Sequence, residues 1–199
     1  MFSNYFKTAL RNIRRHKAFA IINIIGLSIG MACSILIMRW IQYELSFDRY
    51  HENADRIYRL ATDMDLGKMR GRYAVSNYIA GKTLARDYPE VERSVRFQKV
   101  PFKLLLQYKD IQFYENNIGL ADNTVFDIFT FPLIQGDPRN ALNSAFSIVI
   151  TQDLAHKYFG DKNPIGRIIR ANDYFDLTVT GVMQNVPRNS HFIFDALVS

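Results

Sequence analysis

F-A-I-I-N-I-I-G-L-S-I-G-M-A-C-S-I-L-I-M, residues 19–38, is a run of twenty residues without a charge, interrupted only by Asn23, Ser28 and Ser34. At about 1.5 Å rise per residue it makes a rod of roughly 30 Å, the thickness of a bilayer's hydrocarbon core. A helix satisfies its backbone hydrogen bonds internally, which lipid cannot do for it. The run predicts a transmembrane helix over residues 18–40, with Arg39 and Trp40 marking one interface. Just before it stand Lys7, Arg11, Arg14, Arg15 and Lys17, and the first seventeen residues hold no acid. Such a cluster stays on the cytoplasmic side, so residues 41–199 are expected outside the cytoplasm. A cleaved secretion signal would want an apolar core of about 7–15 residues and a small-residue cleavage site. Met38-Arg39-Trp40 offers no such site, so the helix reads as an uncleaved anchor.

Working outward, Phe2, Tyr5, Phe6, Ala9, Leu10 and Ile13 recur at helical spacing. Asn4, Lys7, Arg11, Arg14 and Arg15 fall around the other side, and Ser3 suits the cap. Residues 1–17 therefore read as a basic amphipathic helix lying in the membrane interface. Within the span, Gly26-Leu27-Ser28-Ile29-Gly30 is a small-xxx-small stretch, extended one turn by Ser34. Small residues let another helix approach closely, so Gly26, Gly30 and Ser34 are the expected packing face.

The formal charge of +6 misleads. The first seventeen residues carry five of the 25 Lys and Arg and none of the 19 acids, which leaves 20 against 19 from Ala18 onward. A nearly neutral external domain has no electrostatic footing for nucleic acid. The only cysteine, Cys33, lies in the apolar run, so no disulfide can form within the chain and the domain must stand on its hydrophobic core.

Along that domain, Gln42–His51 reads as a continuing helix and Arg56–Asp63 alternates like a strand. Ser76–Tyr88 suits a helix, with Ile79, Leu84 and Tyr88 as core candidates and Pro89 as its stop. Strand-like runs follow at Val91–Val100, Phe102–Tyr108 and Ile111–Tyr114, then a short helix at Thr124–Phe129 and a strand at Ser147–Thr151. Thr151 looks like the N-cap of a helix over Gln152–Phe159 closed by Gly160, and Asn163–Gly166 is a turn. Arg167–Ala171 and Phe175–Met183 form an expected strand pair, with Phe192–Val198 as a last strand. Helices and short strands without a βαβ rhythm indicate an α+β fold.

Catalytic signatures are missing. No GxxxxGK[ST] is present to cradle ATP phosphates, and no Ser sits in a G-x-S-x-G setting. His16, His51, His156 and His191 have no ligand-like spacing and read as surface or capping residues, while Asp48, Asp55 and Asp63 read as solvated or turn carboxylates. The expected assignment is no catalytic residue, no cofactor-binding residue and no metal ligand.

Several stretches together resemble the FtsX-like permeases of ABC transporters whose outer part is a MacB-like periplasmic core domain. They are F-K-T-A-L-R-N-I-R-R-H-K-A-F-A-I-I-N-I-I-G-L-S-I-G-M-A-C (6–33), S-F-D-R-Y-H-E-N-A-D-R-I-Y-R-L (46–60), D-N-T-V-F-D-I-F-T-F-P-L-I-Q-G-D-P-R-N-A-L (122–142), I-V-I-T-Q-D-L-A-H-K-Y-F-G-D-K-N-P-I-G (148–166) and V-T-G-V-M-Q-N-V-P-R-N-S-H-F (179–192). The resemblance implies a mixed α+β periplasmic domain over 41–199, a bacterial inner-membrane location and no catalysis in this chain. It also implies a dimer working with a cytoplasmic ATPase that binds the ATP, and a periplasmic adaptor or substrate protein as a further partner. Because such permeases return to the membrane after this domain, the resemblance predicts that the chain is the N-terminal portion of a larger permease. A membrane-anchored sensor with an external ligand-binding domain is the competing expectation.

Overall fold

A computed structural model describes residues 2–67 and 69–199; of residues 2, 3, 4, 6, 9, 10, 66 and 69 it describes the backbone alone. The apolar face expected at Phe2, Phe6, Ala9 and Leu10, and the Ser3 cap, thus lie outside the described side chains. The chain divides into two compact units, Met1–Phe47 and Asp48–Ser199.

The first unit is two helices, α1 (Phe2–Arg15) and α2 (Lys17–Glu44). They meet at His16, whose φ of −117° and ψ of 54° leave the helical region. Arg14 and Arg15 lie in the last turn of α1, where cations favour the carbonyl end. No residue of α2 is buried, and its length and composition suffice to cross a membrane. At 28 residues it outlasts the apolar run by residues 39–44, more than one and a half turns, at its C-terminal end. It does not continue to His51. Ser46 Oγ donates to Tyr43 O at 2.6 Å, competing for a helical carbonyl, and Asp48 adopts φ 57°, which no helix interior accommodates.

The second unit opens with a 3-10 turn (Ala54–Arg56), then β1 (Thr62–Leu66), β2 (Met69–Tyr73) and α3 (Ala80–Asp87). Next come β3 (Phe97–Lys99), β4 (Leu104–Tyr108), β5 (Ile111–Glu115), β6 (Ile118–Ala121), α4 (Val125–Ile128) and β7 (Leu133–Gln135). β8 (Ser147–Thr151), α5 (Gln152–Phe159), β9 (Ile168–Ala171), β10 (Phe175–Met183) and β11 (Ala196–Val198) complete it. Among the described residues β1 and β2 pair only with each other. The other nine strands make one mixed sheet in the order β3-β6-β11-β8-β10-β9-β4-β5, with β7 joining β10.

β8 is central, and all five of its residues are buried. Ile148 and Ile150 pack on one side with Leu106, Ile169, Leu177, Val179 and the α5 residues Leu154, Tyr158 and Phe159. Val149 packs on the other with Phe129, Phe131, Met183, Phe194 and Leu197. A strand covered on both faces needs a continuous apolar run, which is what S-I-V-I-T supplies. α5 follows at once: Thr151 Oγ1 accepts from Leu154 N at 3.3 Å, and Gly160 at φ 58° closes the helix. β10 runs parallel to β8 with a register shift between Val179 and Gly181. Gly136, at φ 95°, lies against that irregularity, where a Cβ would stand 2.5 Å from Thr180 O.

Several expected elements are displaced. Residues 56–61 are not a strand, because β1 finds its partner only from Thr62, opposite Tyr73. The expected strands at 91–100 and 192–198 shrink to β3 and β11. Phe192 and Phe194 instead send their rings into an aromatic cluster with Phe97 and Phe131. Ile79 and Tyr88 are exposed at 62% and 55% and are not core. Asp48 and His51, read as a solvated or turn carboxylate and a surface or capping residue, are both engaged inside the second unit.

Candidate functional site

The expected packing face lies along α2. An added Cβ at Gly26 or Gly30 would meet nothing within 4 Å, and Ser34 Oγ donates to Gly30 O at 2.8 Å. That bond satisfies the hydroxyl within the helix and leaves a smooth strip along which another helix backbone could lie. Lys7, Arg11, Arg14 and Arg15 are exposed on α1. Lys17 begins α2, and Arg39 and Trp40 are exposed near its far end.

Only Leu45, Ser46 and Phe47 separate Glu44, the last residue of α2, from Asp48. The chain then enters a polar clamp. Asp48 N donates to Asn189 O at 3.0 Å. Its carboxylate accepts from Ser190 Oγ at 3.1 Å and His191 N at 3.0 Å, and its other oxygen lies 2.7 Å from His191 Nδ1. Tyr50 OH shares a 2.9 Å hydrogen bond with Ser190 Oγ. At the next two residues, Thr130 N donates to His51 Nδ1 at 3.1 Å and Glu52 N donates to Thr130 Oγ1 at 2.8 Å. Residues 48–52 are thereby tied to two distant segments, 189–192 and 129–131. Those segments lead into β11 and β7 of the main sheet.

Electrostatics favours the clamp. Burial works to raise the Asp48 carboxyl, but the backbone and ring of His191 and the Ser190 hydroxyl outweigh it and hold the group below the usual range. Burial pushes the Tyr50 phenol up and the His51 imidazole down, so both stay neutral near pH 7. Ser, His and Asp meet here, with Ser190 engaged by the Asp48 carboxylate and the Tyr50 phenol, a wiring that holds loops together.

A second buried polar group ties α5 to β5. Glu115 Oε1 accepts from Lys157 Nζ at 2.7 Å and from Tyr158 OH at 2.9 Å, and Lys157 Nζ sits 4.3 Å from the Phe113 ring centroid. Burial first, then the bonded Glu115 carboxylate, raises the Tyr158 phenol far above its ordinary value. Among the described residues no group of three or more His, Cys, Asp or Glu side chains could hold a metal ion. A surface depression of about 540 Å³ is lined by Lys99, Val100, Pro101, Phe102, Lys103 and Asn116.

An N-terminal apolar helix long enough to cross a membrane, followed by a sheet-rich α+β domain, is the plan of a membrane-permease external domain. Residues 20–199 match the MacB-like periplasmic core domain, and the chain belongs to that family, the periplasmic part of ABC-type transporter permeases of the FtsX/MacB kind. No curated protein matches the chain. Among solved structures it is similar to a domain of a permease-type protein from Porphyromonas gingivalis (24% identity, TM-score 0.46, covering 53% of this chain and 49% of that one). It is similar to the extracellular domain of the noncanonic ABC-type transporter YknZ from Gram-positive bacteria (19%, 0.37, 48% and 49%). A third is the periplasmic region of MacB from Actinobacillus actinomycetemcomitans (18%, 0.47, 69% and 62%). The chain spans about half the length of the first two.

The clamp went unread because its halves lie 143 residues apart. A signal was present: S-F-D-R-Y-H and R-N-S-H-F both fall in stretches that carry the family resemblance.

Proposed function

We propose that the chain is the membrane-anchored permease subunit of an ABC transporter that couples a partner ATPase's cycle to movement of an extracytoplasmic domain. ATP is bound by that cytoplasmic partner and not by this chain. α2 crosses the bilayer with the basic residues of α1 inside, α1 lies in the lipid interface, and the second unit lies outside. Two copies work together, with Gly26, Gly30 and Ser34 facing a neighbouring span, and the external unit docks an adaptor or substrate protein.

The single observation that carries this reading is the join between α2 and the clamp. A piston or tilt of α2 has three residues in which to dissipate before it reaches Asp48, which is tied to the loop that leads into β11, while His51 and Glu52 just beyond it are tied to the segment that leads into β7. Membership of the family supplies the partner class. Topology and partnership are tested together. A reporter active only outside the cytoplasm, fused after Asn123, is expected to be active, and an ABC ATPase is expected to co-purify with the tagged chain. An inactive fusion at Asn123 alongside an active one at the N-terminus overturns the topology, and purification without any ATPase overturns the partnership.

A further inference from the structure

His51 is the most deeply buried imidazole in the second unit, 4% exposed, and its ring lies among Tyr50, Phe129, Phe131 and Phe192 at centroid distances of 4.0, 5.1, 5.4 and 6.3 Å. Its Nδ1 accepts the Thr130 amide, so the ring proton of the neutral form sits on Nε2. Nε2 is buried and has no hydrogen-bond partner among the described residues. A second proton would have to go on Nδ1, where a donor already points.

We propose that His51 is an acid-released latch. Protonation turns Nδ1 from acceptor into donor, expels the Thr130 amide, and loosens the Phe129–Phe131 segment, leaving the bond from Glu52 N to Thr130 Oγ1 as its remaining polar tie to residues 48–52. Two costs act in the same direction, a charge placed among aromatic rings and a main-chain amide left without its acceptor. The charged and titratable groups around the ring are few. Its own segment carries Asp48, Arg49, Tyr50 and Glu52. The 129–131 segment carries none, and the 186–194 segment carries Arg188 and His191. Asp48 favours the imidazolium, but its carboxylate is already held by Ser190 and His191, and burial prevails. An external domain meets pH changes that the cytoplasm buffers, which gives such a group something to sense.

The test is amide hydrogen exchange, corrected for intrinsic rates, on the full chain in detergent between about pH 7.5 and pH 5, the range over which an ordinary imidazole takes up its proton. Protection of the 129–131 segment is expected to fall about tenfold, the equilibrium weight of one hydrogen bond, while protection of β8 stays constant. His51→Asn, which keeps an acceptor that cannot be protonated, is expected to be protected at both pH values. His51→Phe is expected to be unprotected at both. A ¹⁵N titration of the unaltered chain needs no variant: His51 is expected as the Nε2–H tautomer with a midpoint below about 6.5, the ordinary imidazole value. The latch is overturned if the 129–131 segment keeps its protection while His51 titrates, if His51→Asn loses protection with pH as the unaltered chain does, or if β8 opens together with the segment.

Discussion

Replacing Asp48 tests whether the clamp holds the second unit together. Its carboxylate makes three contacts, to Ser190 Oγ, His191 N and His191 Nδ1, at 2.7–3.1 Å. The side chain is 31% exposed, so solvent screens part of this. Bonds to a charged group contribute about 1.5–3 kcal/mol when buried, and about 2 kcal/mol in all is a fair figure here. Alanine meets a further penalty of about 1 kcal/mol at φ 57°, a conformation that aspartate tolerates better and glycine adopts freely. Asp48→Ala is therefore expected to cost about 3 kcal/mol and Asp48→Gly about 2 kcal/mol, or roughly 6–12 °C and 4–8 °C in the unfolding midpoint of a domain this size. Scanning calorimetry of the full chain in detergent reads both. The sign of the pH effect follows from the lowered carboxyl. A group whose folded pKa is depressed stabilises above its unfolded value, about 3.9, and loses that stabilisation as pH falls through the folded value. The gap between the unaltered chain and Asp48→Asn should then narrow as pH falls below about 3.9, where the unfolded chain's carboxyl takes up its proton before the native one does. An Asp48→Ala midpoint within a degree of the native one, or a gap that does not narrow in acid, would refute the reasoning.

Other substitutions probe the scaffold. Gly136→Ala combines a left-handed backbone with a Cβ 2.5 Å from Thr180 O, so a loss of about 3 kcal/mol or more is expected in denaturant unfolding. Thr151→Ala removes the cap of α5 and should cost about 1 kcal/mol in the same assay, with the fold retained. Gly30→Leu should insert into membranes normally, because leucine is favourable in lipid, while weakening recovery of the second copy in a pull-down. Unchanged recovery would make the strip incidental.

Local signals made part of this molecule readable in advance. β8 and α5 were legible to the residue, since a doubly buried strand, a Thr cap and a closing Gly all speak within fourteen positions, Ser147–Gly160. The α2 run was equally plain, although its end was not, because Ser46 and Asp48 stop the helix through interactions that polarity alone does not announce. β6 and β7 were missed. Each is three or four residues long and is held by strands elsewhere in the chain, β3 and β11 for Ile118–Ala121 and β10 for Leu133–Gln135. β2 was missed for another reason: Met69–Tyr73 holds two arginines and a glycine, so its pattern is not apolar. The clamp was hidden for the reason that defines it, the pairing of the first residues of the second unit with loops 79 and 143 residues away.

The central claim is that motion of α2 reaches the second unit through the short join at Leu45–Phe47. Labels placed at Asn123→Cys, in a Cys33→Ser background, report the distance between the two copies of the chain reconstituted with their partner ATPase. That distance is expected to change when ATP is added. Inserting a flexible Gly-Ser stretch between Glu44 and Asp48 should abolish the change while the ATPase still binds ATP. The same ATP-driven change with the insertion in place would contradict the account.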